Sequence, residues 1–87
     1  MSDEELVRRA RDGEAAALSA LVRRHTDAVF RVALSIVGEP DLAHDVSQDA
    51  FVKAIGALGE FRGEAAFRTW LLTITANAAR GALRRQG

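Results

Sequence analysis

Three groups of residues in this chain carry side chains suited to chemistry, and in each the chemistry is recognition rather than reaction. The first is Asp41, Asp45, Gln48 and Asp49, which share one side of a helical wheel drawn at about 100° per residue. Val52 projects from the middle of that acidic side, with Phe51 and Ile55 on its flank. A purely solvated face has no need for an apolar centre, whereas a docking face often has apolar anchors rimmed by charge. The acidic rim calls for a basic partner. Phe51 and Ile55 also have a plainer reading as core residues, since large apolar side chains are usually buried.

The second group is Thr69, Thr73, Ala76 and Arg80, with Asn77 and Arg84 beside them. Hydroxyls, an amide and guanidinium groups contact phosphates and base edges, although the same mixture also serves as ordinary helix surface. The third is the segment Leu58 to Gly63, where Phe61 and Arg62 stand between glycines. Such a loop could hold a base flipped from its stack, using aromatic contact, backbone donors and an arginine. It could equally be a plain connection with Phe61 tucked into the core. Trp70 reads as a core tryptophan whose flat ring, near a basic face, could also stack on an unpaired base.

Catalysis finds little support. His25 and His44 lie on different segments, the chain has no cysteine, and His44 beside Asp45 is only a surface pair, so neither a metal site nor a cofactor is expected. There is no glycine-rich phosphate loop, nucleophile elbow or Cys–His pair. The carboxylates around Asp45 share an open face, whereas catalytic carboxylates usually need a cleft that perturbs them. No enzymatic activity is expected.

Helices must position these groups. The first is expected from Asp3 to Asp12, with Ser2 as N-cap, Glu5 completing a capping box and Gly13 as the stop. The second runs from Glu14 to Val37, where Leu18, Leu21, Val22, Val29, Val32, Ala33 and Ile36 recur at helical spacing and Gly38 ends the pattern. The third begins at Pro40, tolerated at a first helical position, and continues to Ala57 with Leu42, Ala43, Val46, Ala50, Ala54 and Leu58 as its core stripe. After the Leu58–Gly63 loop, a fourth runs from Glu64 to Arg85 and buries Phe67, Trp70, Leu71, Ile74 and Ala78. Short links between four amphipathic helices predict an all-α, compact bundle of about four helices, one domain spanning residues 1–87.

The formal net charge of zero hides an asymmetry. Met1 to Glu60 carries eleven acids against seven Lys or Arg, while Phe61 to Gly87 carries Arg62, Arg68, Arg80, Arg84 and Arg85 against Glu64 alone. A basic end suits phosphates and an acidic body suits a basic protein, if the distribution is more than solvated surface. The acidic opening is unlike a signal peptide, and no apolar stretch is long enough to span a bilayer, so the expected setting is the cytoplasm without membrane insertion.

The order of motifs resembles region two of the extracytoplasmic-function (group four) sigma factors. The stretch from Leu6 to Gly38 looks like the first two helices of that region. Asp45-Val46-Ser47-Gln48-Asp49-Ala50-Phe51-Val52-Lys53-Ala54 resembles its acidic-glutamine segment. Phe61-Arg62-Gly63-Glu64 followed by Phe67-Arg68-Thr69-Trp70-Leu71 is similar to its most recognisable signature, and Asn77 with Leu83-Arg84-Arg85 to the end of its last helix. The resemblance implies that Asp45, Gln48, Asp49 and Val52, with Phe51 in support, dock on the clamp coiled coil of the core RNA polymerase β′ subunit. It implies that Phe61, Arg62 and Gly63 capture a flipped base of the non-template strand of the promoter minus-ten element. It further implies that Arg68, Asn77, Arg80 and Arg84 contact that single-stranded DNA and the upstream duplex edge.

An anti-sigma factor is a further implied partner, and a sigma-like mimic that sequesters one without touching promoter DNA is the alternative function. The resemblance also implies that the linker and region four lie outside this chain, which ends at Arg84-Arg85-Gln86-Gly87. Three departures stand out: Ser47 in place of an aliphatic residue, Leu72-Thr73 in place of an aromatic and a basic residue, and Gly81 in place of an acidic one. Fewer cations on the DNA side mean fewer released counterions and weaker phosphate attraction.

Overall fold

Ser2 opens the first helix. Its Oγ accepts from the Glu5 N–H at 3.2 Å, satisfying a donor that the first turn would otherwise leave free, and α1 then runs Asp3–Arg11. Asp3, Glu4 and Glu5 lie at the positive end of its dipole and Arg8, Arg9 and Arg11 at the negative end. The computed structural model describes residues 1–86, so Gly87 lies outside it, and the expected all-α bundle is what forms. After α1 come α2 (Ala15–Val37), α3 (Pro40–Gly56), a 3₁₀ turn at Leu58–Glu60 and α4 (Phe67–Gln86).

The 23-residue α2 is the spine. At 1.5 Å per residue it is about 35 Å long, which accounts for a molecule of 40 × 21 × 18 Å. It packs against all three other helices, while α3 and α4 also pack on each other. Gly38 ends it in the left-handed conformation, at φ +75°, with its N–H donating to the Leu34 carbonyl at 2.9 Å. Pro40 occupies the start of α3 as expected. Glu39 adds a cap that the sequence reading did not anticipate: its carboxylate accepts from the Asp41 and Leu42 N–H groups at 3.0 and 2.8 Å.

Nine of the eighteen buried apolar residues among those described are alanine, so helix backbones approach closely and a few larger side chains carry most of the burial. Leu21, Val29, Val46, Leu58, Phe67 and Leu71 are the chief of these. Two hydroxyls share the interior. Ser47 donates to the Ala43 carbonyl at 2.8 Å and Thr75 to the Leu71 carbonyl at 2.9 Å. Each polar group is thereby satisfied within its own helix. The Ser47 departure thus costs little.

His25, expected only as an unpaired histidine, is buried and ties α2 to α1. Its Nε2 lies 2.9 Å from Asp3 Oδ2, while Arg24 donates to Asp3 Oδ1 at 3.0 Å. Its Nδ1 is buried without a partner, and the ring sits 5.6 Å from that of Phe67.

The fourth helix differs from expectation at its start. It begins at Phe67 rather than Glu64, although Glu64, Ala65 and Ala66 are all compatible with helix. The reason is tertiary. Phe61 and Phe67 are both buried, with ring centroids 5.8 Å apart and planes at 87°, so the chain between them must arch outward and return. Gly63, at φ +74°, makes that reversal. Trp70 and Ile74, expected in the core, are only half-buried, and Thr75, Ala79 and Ala82 take the interior positions beside Leu71 and Ala78.

Candidate functional site

The outer side of α3 keeps its polar residues in water. Asp41, Asp45 and Gln48 are exposed, with the His44 and Gln48 side chains 3.2 Å apart. Asp49 is half-buried and its carboxylate accepts from Lys53 Nζ at 2.9 Å, so part of its charge is already answered within the helix. Val52 is 70% exposed, more than any other large apolar residue described, and Ile55 beside it is 43% exposed. Burying a side chain of this kind is worth about 1.5–3 kcal/mol, which the isolated domain forgoes at Val52. Ile55 is therefore surface rather than core. Phe51 is half-buried and forms one wall of a groove of about 450 Å³ between α2 and α3, opposite Val22 and Phe30. Asp45, Gln48, Asp49 and Val52 fall within one arc of about 100° around the axis, with Phe51 at its edge.

On the other site-bearing surface, the segment after the 3₁₀ turn and the first turns of α4 enclose a concavity of about 310 Å³. Arg62, Glu64 and Ala65 line it from the loop, and Thr69, Trp70 and Thr73 from the helix, with Phe61 beneath. Its size is at the lower end of the range for small-ligand clefts. Of the two readings of Phe61, its ring follows the one that tucks it into the core. At 7% exposure its ring is spent in a cluster with Phe67 and Trp70, 5.1 Å from the Trp70 centroid and inclined at 54°. Three aromatic rings packed at such angles gain more together than one exposed ring would in water. Half-buried Trp70 is the other aromatic lining the concavity, and Arg62 and Gly63 are the exposed loop residues.

Along α4, Thr69, Thr73, Asn77, Arg80 and Arg84 form one outward stripe, all exposed. Arg68 is exposed but lies about 100° around the axis from Thr69, and so stands apart from that stripe. Among the described residues, Arg62, Arg68, Arg80 and Arg84 pair with no carboxylate, whereas Arg8, Arg9, Arg24 and Lys53 each do. The acidic body of the molecule thus partly neutralises its own cations. The loop and α4 leave theirs free for an anion. Thr69 and Thr73, on the expected recognition face of α4, and Trp70 line the concavity together with the loop, a grouping that depends on where the arched loop lands. Among the described residues no group of His, Cys, Asp and Glu could hold a metal ion, and no helix is long and apolar enough to cross a membrane.

With two such surfaces on one small helical bundle, the comparisons with known proteins are direct. Residues 21–87 match the family model for Sigma-70 region 2. The chain belongs to the sigma-70 region 2 family, in its extracytoplasmic-function (ECF) branch. It is 40% identical over its whole length to the ECF RNA polymerase sigma-E factor of Escherichia coli, covering 45% of that protein. To the RNA polymerase sigma-H factor of Pseudomonas aeruginosa it is 39% identical over 98% of its length, covering 44% of that protein. The chain thus spans about half the length of the curated relatives it matches. Among solved structures, an engineered region 2 of sigmaE in complex with GTAAAA, determined by NMR, superimposes with a TM-score of 0.90 at 37% identity. That match covers 100% of this chain and 90% of the other.

Proposed function

We propose that residues 1–87 act as the region two module of a transcription initiation factor. The Asp45–Gln48–Asp49–Val52 face docks on the β′ clamp coiled coil of core RNA polymerase, with Phe51 in support. The loop and α4 hold the non-template strand of the promoter minus-ten element as single-stranded DNA. In this reading Arg62, Gly63 and the loop concavity receive a flipped base, Trp70 offers it an aromatic edge, and Phe61 shapes the pocket from below. Asn77, Arg80 and Arg84 contact the strand along the stripe, and Arg68 reaches phosphate from the flank. Unstacking a base costs a few kcal/mol, which loop contacts, stripe contacts and polymerase together offset. A chain working with polymerase acts in the cytoplasm, and the linker and region four belong to the remainder of such a factor.

One observation supports this most: the only long outward stripe of hydroxyl, amide and uncompensated guanidinium groups on the described surface leads into the loop concavity. The similar engineered region 2 of sigmaE forms a complex with GTAAAA, which favours single-stranded DNA as the ligand.

The test is binding of labelled single strands, GTAAAA and its single-base variants, at two salt concentrations with core polymerase present. The expected result is discrimination of about 1–3 kcal/mol at the recognised positions. Asn77→Ala is expected to flatten that discrimination while leaving the helical fold intact. Equal affinity for all strands, unaffected by Asn77→Ala, would favour the mimic that occupies an anti-sigma factor, a reading consistent with Leu72 and Thr73 thinning the cationic side.

A further inference from the structure

The geometry points to Arg11 as a positioning residue for the base-capturing loop, an inference that rests on the promoter reading above. Arg11 sits in the last turn of α1, before the span that matches the family model. Its Nε donates to the Leu58 carbonyl at 3.0 Å, and its Nη2 donates to the Phe61 carbonyl. The guanidinium carbon also stands 5.9 Å from the centroid of the Phe61 ring. One side chain therefore makes three contacts with a stretch 47 to 50 residues further along the chain.

The Phe61 carbonyl receives no backbone donor outside the helices, and a buried or half-buried carbonyl without a donor is costly. The Leu58 carbonyl already accepts from the Phe61 N–H at 3.2 Å and gains a second donor from Arg11. The rigid fork of a guanidinium thus ties the two oxygens together. A lysine ammonium is a point charge and cannot reproduce that geometry. The helix that carries the fork is itself fastened, by Leu6 and Val7 in the core and by Asp3 bonded to His25 and Arg24.

Beyond Phe61 the chain has little to hold it. Among the described residues, no backbone hydrogen bond outside the helices involves Arg62, Gly63, Glu64 or Ala65. The course of this arch is then set at its two ends, by Phe67 entering the core and by the carbonyl that Arg11 holds. Arg62, Glu64 and Ala65 line the concavity from within the arch. Arg11 thus fixes the frame of a pocket it does not line.

Arg11→Lys and Arg11→Met separate this role from two others. Amide hydrogen exchange of Glu60 and Phe61, whose N–H groups bond within the turn at 2.8 and 3.2 Å, is the readout that needs no DNA. Both variants are expected to speed it. Both are also expected to lower the affinity ratio of GTAAAA over a scrambled strand by about tenfold, the scale of one charge-assisted hydrogen bond. Core polymerase affinity and the salt dependence of strand binding should stay at the wild-type values. A wild-type ratio in Arg11→Lys would overturn the proposal, because charge alone would then suffice, as for a direct phosphate contact. So would unchanged exchange at Glu60 and Phe61, or a loss of polymerase affinity in proportion to the loss of selectivity. If the wild-type chain failed to discriminate strands at all, the promoter reading would fall, and the exchange measurement would still decide whether Arg11 holds the turn.

Discussion

Replacing Leu71 by alanine is expected to lower the stability of this domain by about 2–5 kcal/mol, the range for emptying a fully buried leucine site. Leu71 is 0% exposed and lies, one turn from Phe67, where α4 meets Leu18, Leu21 and Ala54. The effect belongs at the upper part of that range for a specific reason. Half of the buried apolar set is alanine, so few neighbours can move in to fill the space. The thermal midpoint of a domain this small shifts by about 4–8 °C per kcal/mol. Far-ultraviolet circular dichroism should therefore record a loss of well over ten degrees. Since domains have about 5–15 kcal/mol in total, a substantial unfolded fraction at ambient temperature is a reasonable extreme. A shift of only two or three degrees would mean that the α2–α4 contact is not the core.

The second large effect is on association. Val52→Arg should leave thermal stability within about 0.5 kcal/mol of wild type, as expected of an exposed site. Affinity for core polymerase should fall by about 2 kcal/mol or more, the scale of an interface anchor. Two terms act together: the apolar surface of Val52 is no longer withdrawn from water, and a cation enters a face whose acidic rim selects a basic partner. Asp49→Arg is expected to act in the same direction and to weaken as salt is raised. Its effect should be the smaller of the two per unit of charge, because Lys53 already neutralises part of Asp49. Equilibrium titration of labelled variants with core polymerase measures both. Wild-type affinity in Val52→Arg would remove the docking role from this face.

Much of this architecture is legible in the sequence because it is decided locally. The Ser2 cap, the Gly13 and Gly38 stops and Pro40 at the head of α3 act within a few residues, and the apolar spacing from Leu18 to Ile36 and from Ala43 to Ala54 marks which sides face inward. The acidic stripe with Val52 at its centre follows from the same periodicity.

What periodicity does not reach is decided by contacts between distant segments. The late start of α4 reflects Phe61 and Phe67 packing edge to face in one interior space, which no local propensity encodes. The same packing withdraws the Phe61 ring from the loop surface, while Trp70, Thr69 and Thr73 line the pocket. Ser47 and Thr75 read as polar and yet are interior, because each hydroxyl bonds back to a carbonyl one turn earlier. His25 with Asp3, and Arg11 with the Leu58 and Phe61 carbonyls, join residues that only folding brings together.

The proposed division of labour between α3 and α4 is open to a direct measurement. A photoactivatable residue placed at Val52 and, in a second protein, at Thr73 would be irradiated in complexes with core polymerase and a pre-melted promoter fragment. Label from Val52 should pass to a polymerase subunit and not to DNA, while label from Thr73 should pass to the non-template strand. Transfer from Val52 to DNA, or from Thr73 to protein alone, is incompatible with a docking α3 and a strand-holding α4.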